Sequence, residues 1–269
     1  MNICKTFSLR ISKTKLSLYR EVLYSRHDGG LLILKNFIKK REINNLRSFW
    51  LNPEIDKLFS KFIANKEVFE NCPNFYYAKP TELDRSYCCF MWNKPPDKYT
   101  HELAYLIQYI RSQIEGRPIY HGLANHTNSC LQYRVCNHLT NKTVVHPHAD
   151  FVEMFRKDPT GSHKFDPSRI QATLILSTPK KDYNGDGLVL SNNQGDEIIV
   201  GQSKVKSGDL LLWRYTNLHS VRNIITSNDQ TGFMRIIYPS YDYSNIHSQK
   251  KTEIIGRLNQ FLIKKESIL

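Results

Sequence analysis

The segment Val144-Val145-His146-Pro147-His148-Ala149-Asp150-Phe151 sets an imidazole and a carboxylate two residues apart. Side chains at i and i+2 of a β-strand share a face, so His148 and Asp150 converge with Ala149 opposite. Taken alone, such a pair reads equally well as a surface or turn-stabilising feature. A third group comes from Leu210-Leu211-Leu212-Trp213-Arg214-Tyr215-Thr216-Asn217-Leu218-His219-Ser220-Val221, where a buried-looking strand turns into another that opens with His219. Two imidazoles and one carboxylate hold a transition metal and leave coordination positions open, whereas a structural zinc site wants four protein ligands. His146 would give His-x-x-x-Asp and suits the pairing less well than His148. His121, His126, His138 and His163 have no spaced partner and read as surface or satisfied polar groups.

Short strands must carry these residues. From about residue 130 the chain offers eight strand candidates, at 131–135, 143–151, 170–177, 187–191, 196–200, 209–214, 219–225 and 232–240. Tyr183-Asn184-Gly185-Asp186-Gly187, Asn192-Asn193-Gln194-Gly195 and Ser207-Gly208-Asp209 supply turns between them. Eight short strands without intervening helical patterns predict a sandwich or barrel, with a jelly roll the economical choice. Residues 1–128 read as a mainly helical support. Gly29-Gly30-Leu31-Leu32-Ile33-Leu34 reads as a strand after a turn, Ile43, Leu46 and Trp50 make a helical stripe, and a second helix follows Thr100 as N-cap. Its stripe of Leu103, Leu106, Ile107, Ile110 and Ile114 ends at Gly116 and Pro118. Ile254, Leu258, Phe261 and Leu262 predict a C-terminal helix within 242–269. The expectation is a single domain over 1–269, with the catalytic core at 129–241.

Composition bounds the function. The chain has 269 residues, 40% hydrophobic and 23% charged, which is globular rather than disordered. No apolar run approaches the roughly 20 residues of a membrane span. Six cysteines without a CxxC pair indicate neither a zinc ribbon nor a disulfide scaffold, and a reduced, cytoplasmic protein is expected. Cys88-Cys89 reads as buried apolar sequence. Asn141-Lys142-Thr143 is a formal glycosylation sequon, but nothing else points to secretion. The net charge of +13 invites a nucleic-acid reading, yet residues 1–50 hold 11 basic against 3 acidic residues and 245–269 hold 5 against 2. The remaining 194 residues carry 22 against 20, so the charge belongs mainly to the ends. The acid-free first twenty residues loosely resemble a transit peptide, but Phe7, Leu9 and Ile11 alternate as in a strand and favour a structural segment.

With His148-x-Asp150 on the second strand and His219 on the seventh, the chain resembles the Fe(II)/2-oxoglutarate-dependent dioxygenase superfamily over residues 130–240. Gly208-Asp209-Leu210-Leu211-Leu212-Trp213 is similar to the Gly-Asp turn before the family's distal histidine strand, and Leu32-Ile33-Leu34-Lys35-Asn36-Phe37 to the start of its support region. The resemblance implies an α+β fold around an eight-stranded double-stranded β-helix, with Fe(II) on His148, Asp150 and His219. It also implies 2-oxoglutarate as cosubstrate, O2 as oxidant, and ascorbate as a supporting reductant. It puts Arg235, in Gly232-Phe233-Met234-Arg235-Ile236-Ile237-Tyr238, on the distal carboxylate of 2-oxoglutarate, which a guanidinium fork suits. Arg222 competes, but its odd spacing from His219 turns it to solvent. Many relatives carry Arg-x-Ser; Ile237 stands where that Ser would be, so Tyr133 or Thr173 is the candidate second donor. Related halogenases have Gly or Ala in place of the carboxylate, and retention of Asp150 favours hydroxylation.

The substrate is expected to be a small polar metabolite, such as an amino acid or derivative. The connection 152–169, with Arg156, Lys157 and Arg169, is long enough for a lid or a solvated loop. Phe151, Glu153 and Arg156 are its candidate contacts, and Trp213 a candidate wall. Two alternatives stand beside this. A protein or nucleic-acid hydroxylase could dock through the basic ends, although the second Arg of nucleic-acid repair members is here Tyr241. A non-catalytic metal-binding jelly-roll module is the other.

Overall fold

The computed structural model describes residues 11–24, 30–61, 74–78, 84–91, 93–117, 129–139, 145–150, 168–191 and 195–242. The expected C-terminal helix, the lid residues Phe151, Glu153 and Arg156, the Phe7–Leu9 segment, His121, His126, His163 and the 141–143 sequon lie outside them.

All eight expected strands are present: β5 (Ser129–His138), β6 (Val145–His148), β7 (Ile170–Ile175), β8 (Gly187–Ser191), β9 (Glu197–Ile199), β10 (Leu210–Arg214), β11 (His219–Arg222) and β12 (Phe233–Ile237). They form two antiparallel sheets. The smaller runs β6-β11-β8-β9. The larger contains β10-β7-β12-β5 and is extended by β1 (Leu32–Leu34) on one side. On the other side it continues through β4 (Arg85–Phe90), β3 (Phe75–Ala78) and β2 (Ser60–Lys61), with β13 (Ser240–Asp242) also pairing with β5. Strands β2 to β4 were not expected in a mainly helical region. Tyr, Phe and Cys make β4 a good pleated partner for β5.

Side-chain alternation divides the larger sheet's faces. Ile170, Ala172 and Leu174 of β7, Leu210 and Leu212 of β10, and Met234 and Ile236 of β12 pack outward against helices α1 (Lys13–Tyr24), α2 (Lys40–Trp50) and α3 (Lys98–Glu115). Ile175, Leu211, Trp213 and Phe233 point inward, against Leu188, Leu190 and Val221 of the smaller sheet. This inter-sheet space is the barrel interior. The expected stripes hold: Ile43, Leu46 and Trp50 of α2 and Leu103, Ile107 and Ile114 of α3 are buried. The α3 N-cap is Asp97 rather than Thr100. Its carboxylate accepts from the Thr100 N–H at 2.7 Å and hydroxyl at 2.6 Å, while Thr100 is fully buried and takes the Trp50 Nε1–H at 2.9 Å. Gly116 ends α3 in the left-handed region, φ 71°.

The Gly208-Asp209 turn locks the support to the barrel. The fully buried Asp209 carboxylate accepts from Lys35 Nζ at 2.8 Å, Asn36 N–H at 2.9 Å and Lys206 N–H at 3.1 Å. Gly208 has φ +93°, and a Cβ there would lie 2.9 Å from the Ile38 carbonyl oxygen.

Candidate metal and cosubstrate site

Strands β6 and β11 pair with His148 directly opposite His219. The next pair is Val145 with Val221, so three residues of β6 span what two of β11 span. That is a bulge at His146-Pro147, where proline has no N–H to give the ladder. It re-aims His148 inward after the exposed His146 and Pro147. The regular strand expected over 143–151 stops at His148, and Asp150 already has helical rather than extended backbone. The carboxylate therefore reaches the histidines through a turn, not through the pleat.

His148, Asp150 and His219 offer ligand atoms that all lie within 4.8 Å of one another. The His148 and His219 rings are 4.3 Å apart between centroids, and His219 Nε2 is 3.9 Å from Asp150 Oδ1. His148 Nδ1 donates to the His146 carbonyl at 2.8 Å, and His219 Nδ1 to the Asn217 carbonyl at 3.3 Å. A carbonyl only accepts, so Nδ1 carries the proton and Nε2 of each ring is left for a metal. Burial lowers the His219 pKa, with Asp150 opposing and His148 assisting, which favours the neutral ring a metal ligand needs. Asp150 Oδ2 is held by Gln171 Nε2 at 3.0 Å, while Oδ1 is turned to the histidines. Gln171 escaped the sequence reading. Its signal was its place two residues before Thr173, on the same strand face.

Trp213, paired with Gln171 across β10 and β7, stands 5.6 Å from the His219 ring and walls the site. Deeper on the same inner face is Arg235, 4% exposed, opposite Ile175 of β7 and Cys136 of β5. Its Nε has no hydrogen-bond partner among the described residues. Burial lowers its pKa, partly offset by Cys136 and Asp150. The guanidinium carbon lies 5.6 Å over the Phe233 ring, which offsets the burial in part; a buried guanidinium with an unsatisfied nitrogen is costly, and an incoming carboxylate would relieve that cost. The donor set and this buried cation with an unsatisfied Nε thus fit Fe(II) and 2-oxoglutarate respectively.

The two expected second donors separate. Thr173 faces inward, paired with Ile237 and Leu211, and its buried Oγ1 has no partner among the described residues. Tyr133 is corrected: it lies on the helix-facing side of β5, its hydroxyl 3.1 Å from His101 Nδ1. Its parity opposes that of Cys136, which faces Arg235. Arg222 points away from the site but is ion-paired with Asp186 at 3.2 Å and Glu197 rather than simply solvated.

No protein-family model and no curated protein matches the sequence. Among solved structures, a prolyl-4-hydroxylase from Pseudomonas putida superposes with a TM-score of 0.51 at 11% identity, covering 85% of this chain and 98% of that one. The dioxygenase for auxin oxidation 1 from Arabidopsis thaliana, as its 2-oxoglutarate complex, gives 0.50 at 11% identity, covering 88% and 91%. The non-heme alpha ketoglutarate dependent epimerase SnoN from nogalamycin biosynthesis gives 0.50 at 10% identity, covering 87% and 84%. These likenesses and the two-sheet strand order define the fold as that of the 2-oxoglutarate/Fe(II) oxygenases. The His148, Asp150 and His219 group sits within it as a two-histidine, one-carboxylate triad.

Proposed function

We propose that the chain is an Fe(II)- and 2-oxoglutarate-dependent dioxygenase that hydroxylates a C–H bond of a small polar metabolite, such as an amino acid or derivative. The observation that carries this reading is the pairing, in one barrel, of the His148–Asp150–His219 group with a buried Arg235 whose Nε has no hydrogen-bond partner among the described residues. When bound, Fe(II) with 2-oxoglutarate and O2 supplies the oxidising chemistry, yielding succinate and carbon dioxide as the substrate C–H bond is oxidised; ascorbate supports it.

The chain's own residues prepare that chemistry. His148 and His219 present Nε2, and Gln171 turns one oxygen of Asp150 toward them. Arg235 would anchor the far carboxylate of the cosubstrate, with Thr173 Oγ1 as a second donor. Trp213, 5.6 Å from the His219 ring, would shield one side of a metal held by the triad from water. A polar substrate is supported by Arg134 on β5, which pairs with Ile237, faces inward, and donates to Gln132 Oε1 at 3.3 Å. One domain over 1–269 and a cytoplasmic location belong to the same reading; Cys88, Cys89 and Cys136 are all free thiols. No helix among the described residues is long and apolar enough to cross a membrane.

A screen of amino acids and small polar metabolites for stimulated succinate release, with Fe(II) and ascorbate, tests the assignment. His148→Ala should reduce succinate to background while the far-ultraviolet dichroism stays unchanged. Turnover undiminished in that variant would overturn the reading.

A further inference from the structure

We propose that Cys136 is a peroxide-reactive thiol in the wall of the cosubstrate pocket, and that its oxidation excludes the 2-oxoglutarate carboxylate from Arg235. The inference rests on Arg235 as the cosubstrate anchor and adds a modification site to that pocket.

Register places the thiol. Cys136 and Arg235 are direct partners across β5 and β12, so their side chains leave the sheet on the same inner face as neighbours. The thiol is free and 5% exposed, with the Ser86 hydroxyl 3.4 Å away. His138 follows two residues later on the same face, stacked on Phe233 with Nδ1 3.6 Å from Asp84 Oδ1. The second observation is independent of the cysteine. Arg235 Nε and Thr173 Oγ1 are both buried without hydrogen-bond partners among the described residues on this face, which marks it as the seat of a polar ligand.

These surroundings favour the nucleophilic form. Burial works to raise the thiol pKa, but His138, Arg235 and the Ser86 hydroxyl outweigh it and bring Cys136 down to about 7. Cys89 is the contrast: burial pushes its thiol well up, and it stays inert.

In the reaction, the thiolate sulfur attacks one oxygen of hydrogen peroxide. An S–O bond forms, the O–O bond breaks and hydroxide leaves; sulfur loses two electrons and peroxide is reduced. The new sulfenic oxygen lies beside the guanidinium, where it takes up both the space and the donors that the cosubstrate carboxylate needs.

The test treats metal-free protein with hydrogen peroxide, removes the oxidant with catalase, and traps sulfenic acid with dimedone for peptide mass spectrometry. Calorimetry with Mn(II) then measures 2-oxoglutarate binding. The expected result is a dimedone adduct on Cys136 and affinity weakened about tenfold or more, the loss of one charge-assisted contact. Dithiothreitol should restore it when dimedone is omitted. Cys136→Ser and Cys136→Ala, whatever their own affinities, should hold them through the treatment. No adduct at Cys136, an adduct with unchanged affinity, or equal peroxide sensitivity in both variants would overturn the proposal. Failure of the untreated protein to bind 2-oxoglutarate would instead overturn the reading of Arg235, while dimedone labelling still reports separately on the thiol.

Discussion

Arg235 is held at a cost to the empty protein. Its guanidinium is almost fully buried, its Nε finds no hydrogen-bond partner among the described residues, and Asp150 offsets the burial only in part; under the proposed function it is placed for a ligand rather than for stability. Arg235→Met should therefore raise the unfolding free energy of the apoprotein in urea by about 1–2 kcal/mol, because it removes an incompletely compensated buried charge. The same variant should bind 2-oxoglutarate about a hundredfold more weakly by calorimetry, two charge-assisted hydrogen bonds being lost. A destabilised apoprotein would show that Arg235 already has its partner. Gln171 acts through Asp150, as a positioning residue. Gln171→Leu should weaken Mn(II) binding about tenfold, the usual effect of removing a partner behind a metal ligand. Gln171→Glu would set two carboxylates together and should be worse, a difference that loss of packing alone would not produce.

At the scale of elements, two buried carboxylates tie the N-terminal support to the barrel. Asp209 binds Lys35 and Asn36, which follow β1, to the turn that opens β10. Asp209→Ala removes three hydrogen bonds to a buried carboxylate, one of them the Lys35 ion pair, and should cost about 3 kcal/mol in denaturant unfolding experiments. Asp182, in the turn between β7 and β8, accepts from both Arg47 nitrogens of α2 at 3.0 and 2.8 Å, and from Thr178 N–H at 2.7 Å. Burial works to raise its pKa, but Arg47 and the Thr178 N–H outweigh it and hold it below the usual carboxylate range. A depressed folded pKa contributes stability above the unfolded value of about 3.9, and that contribution is lost as pH falls through the folded value. Asp182→Asn should thus destabilise most at neutral pH, with the gap to the parent protein closing below about pH 4 in stability-versus-pH curves. A gap constant across that range would remove the ion pair from the account.

For the whole molecule, the two levels of information divide cleanly. Residue types and order alone indicated the triad, because few side chains bind a transition metal and His148, Asp150 and His219 are the spaced set. They indicated the eight strands too, since alternation and turn residues report local preference, and the stripes of α2 and α3 for the same reason. The strands β2 to β4 were hidden because their ladder joins the sheet only through β4 and β5, and β5 lies beyond α3 in the chain. Asp97 was missed as a cap because Thr100 has the same local preference and only packing buries it under Trp50. The face of a strand is a matter of parity, and a shift of one residue reverses it. Nothing local says that Cys136 faces Arg235 while Tyr133 faces His101, that the bulge at Pro147 turns His148 inward, or that Gln171 meets Asp150. Chemical capacity is a property of each side chain and is written in the sequence. Its direction is a property of register between distant strands, and only the tertiary structure decided it.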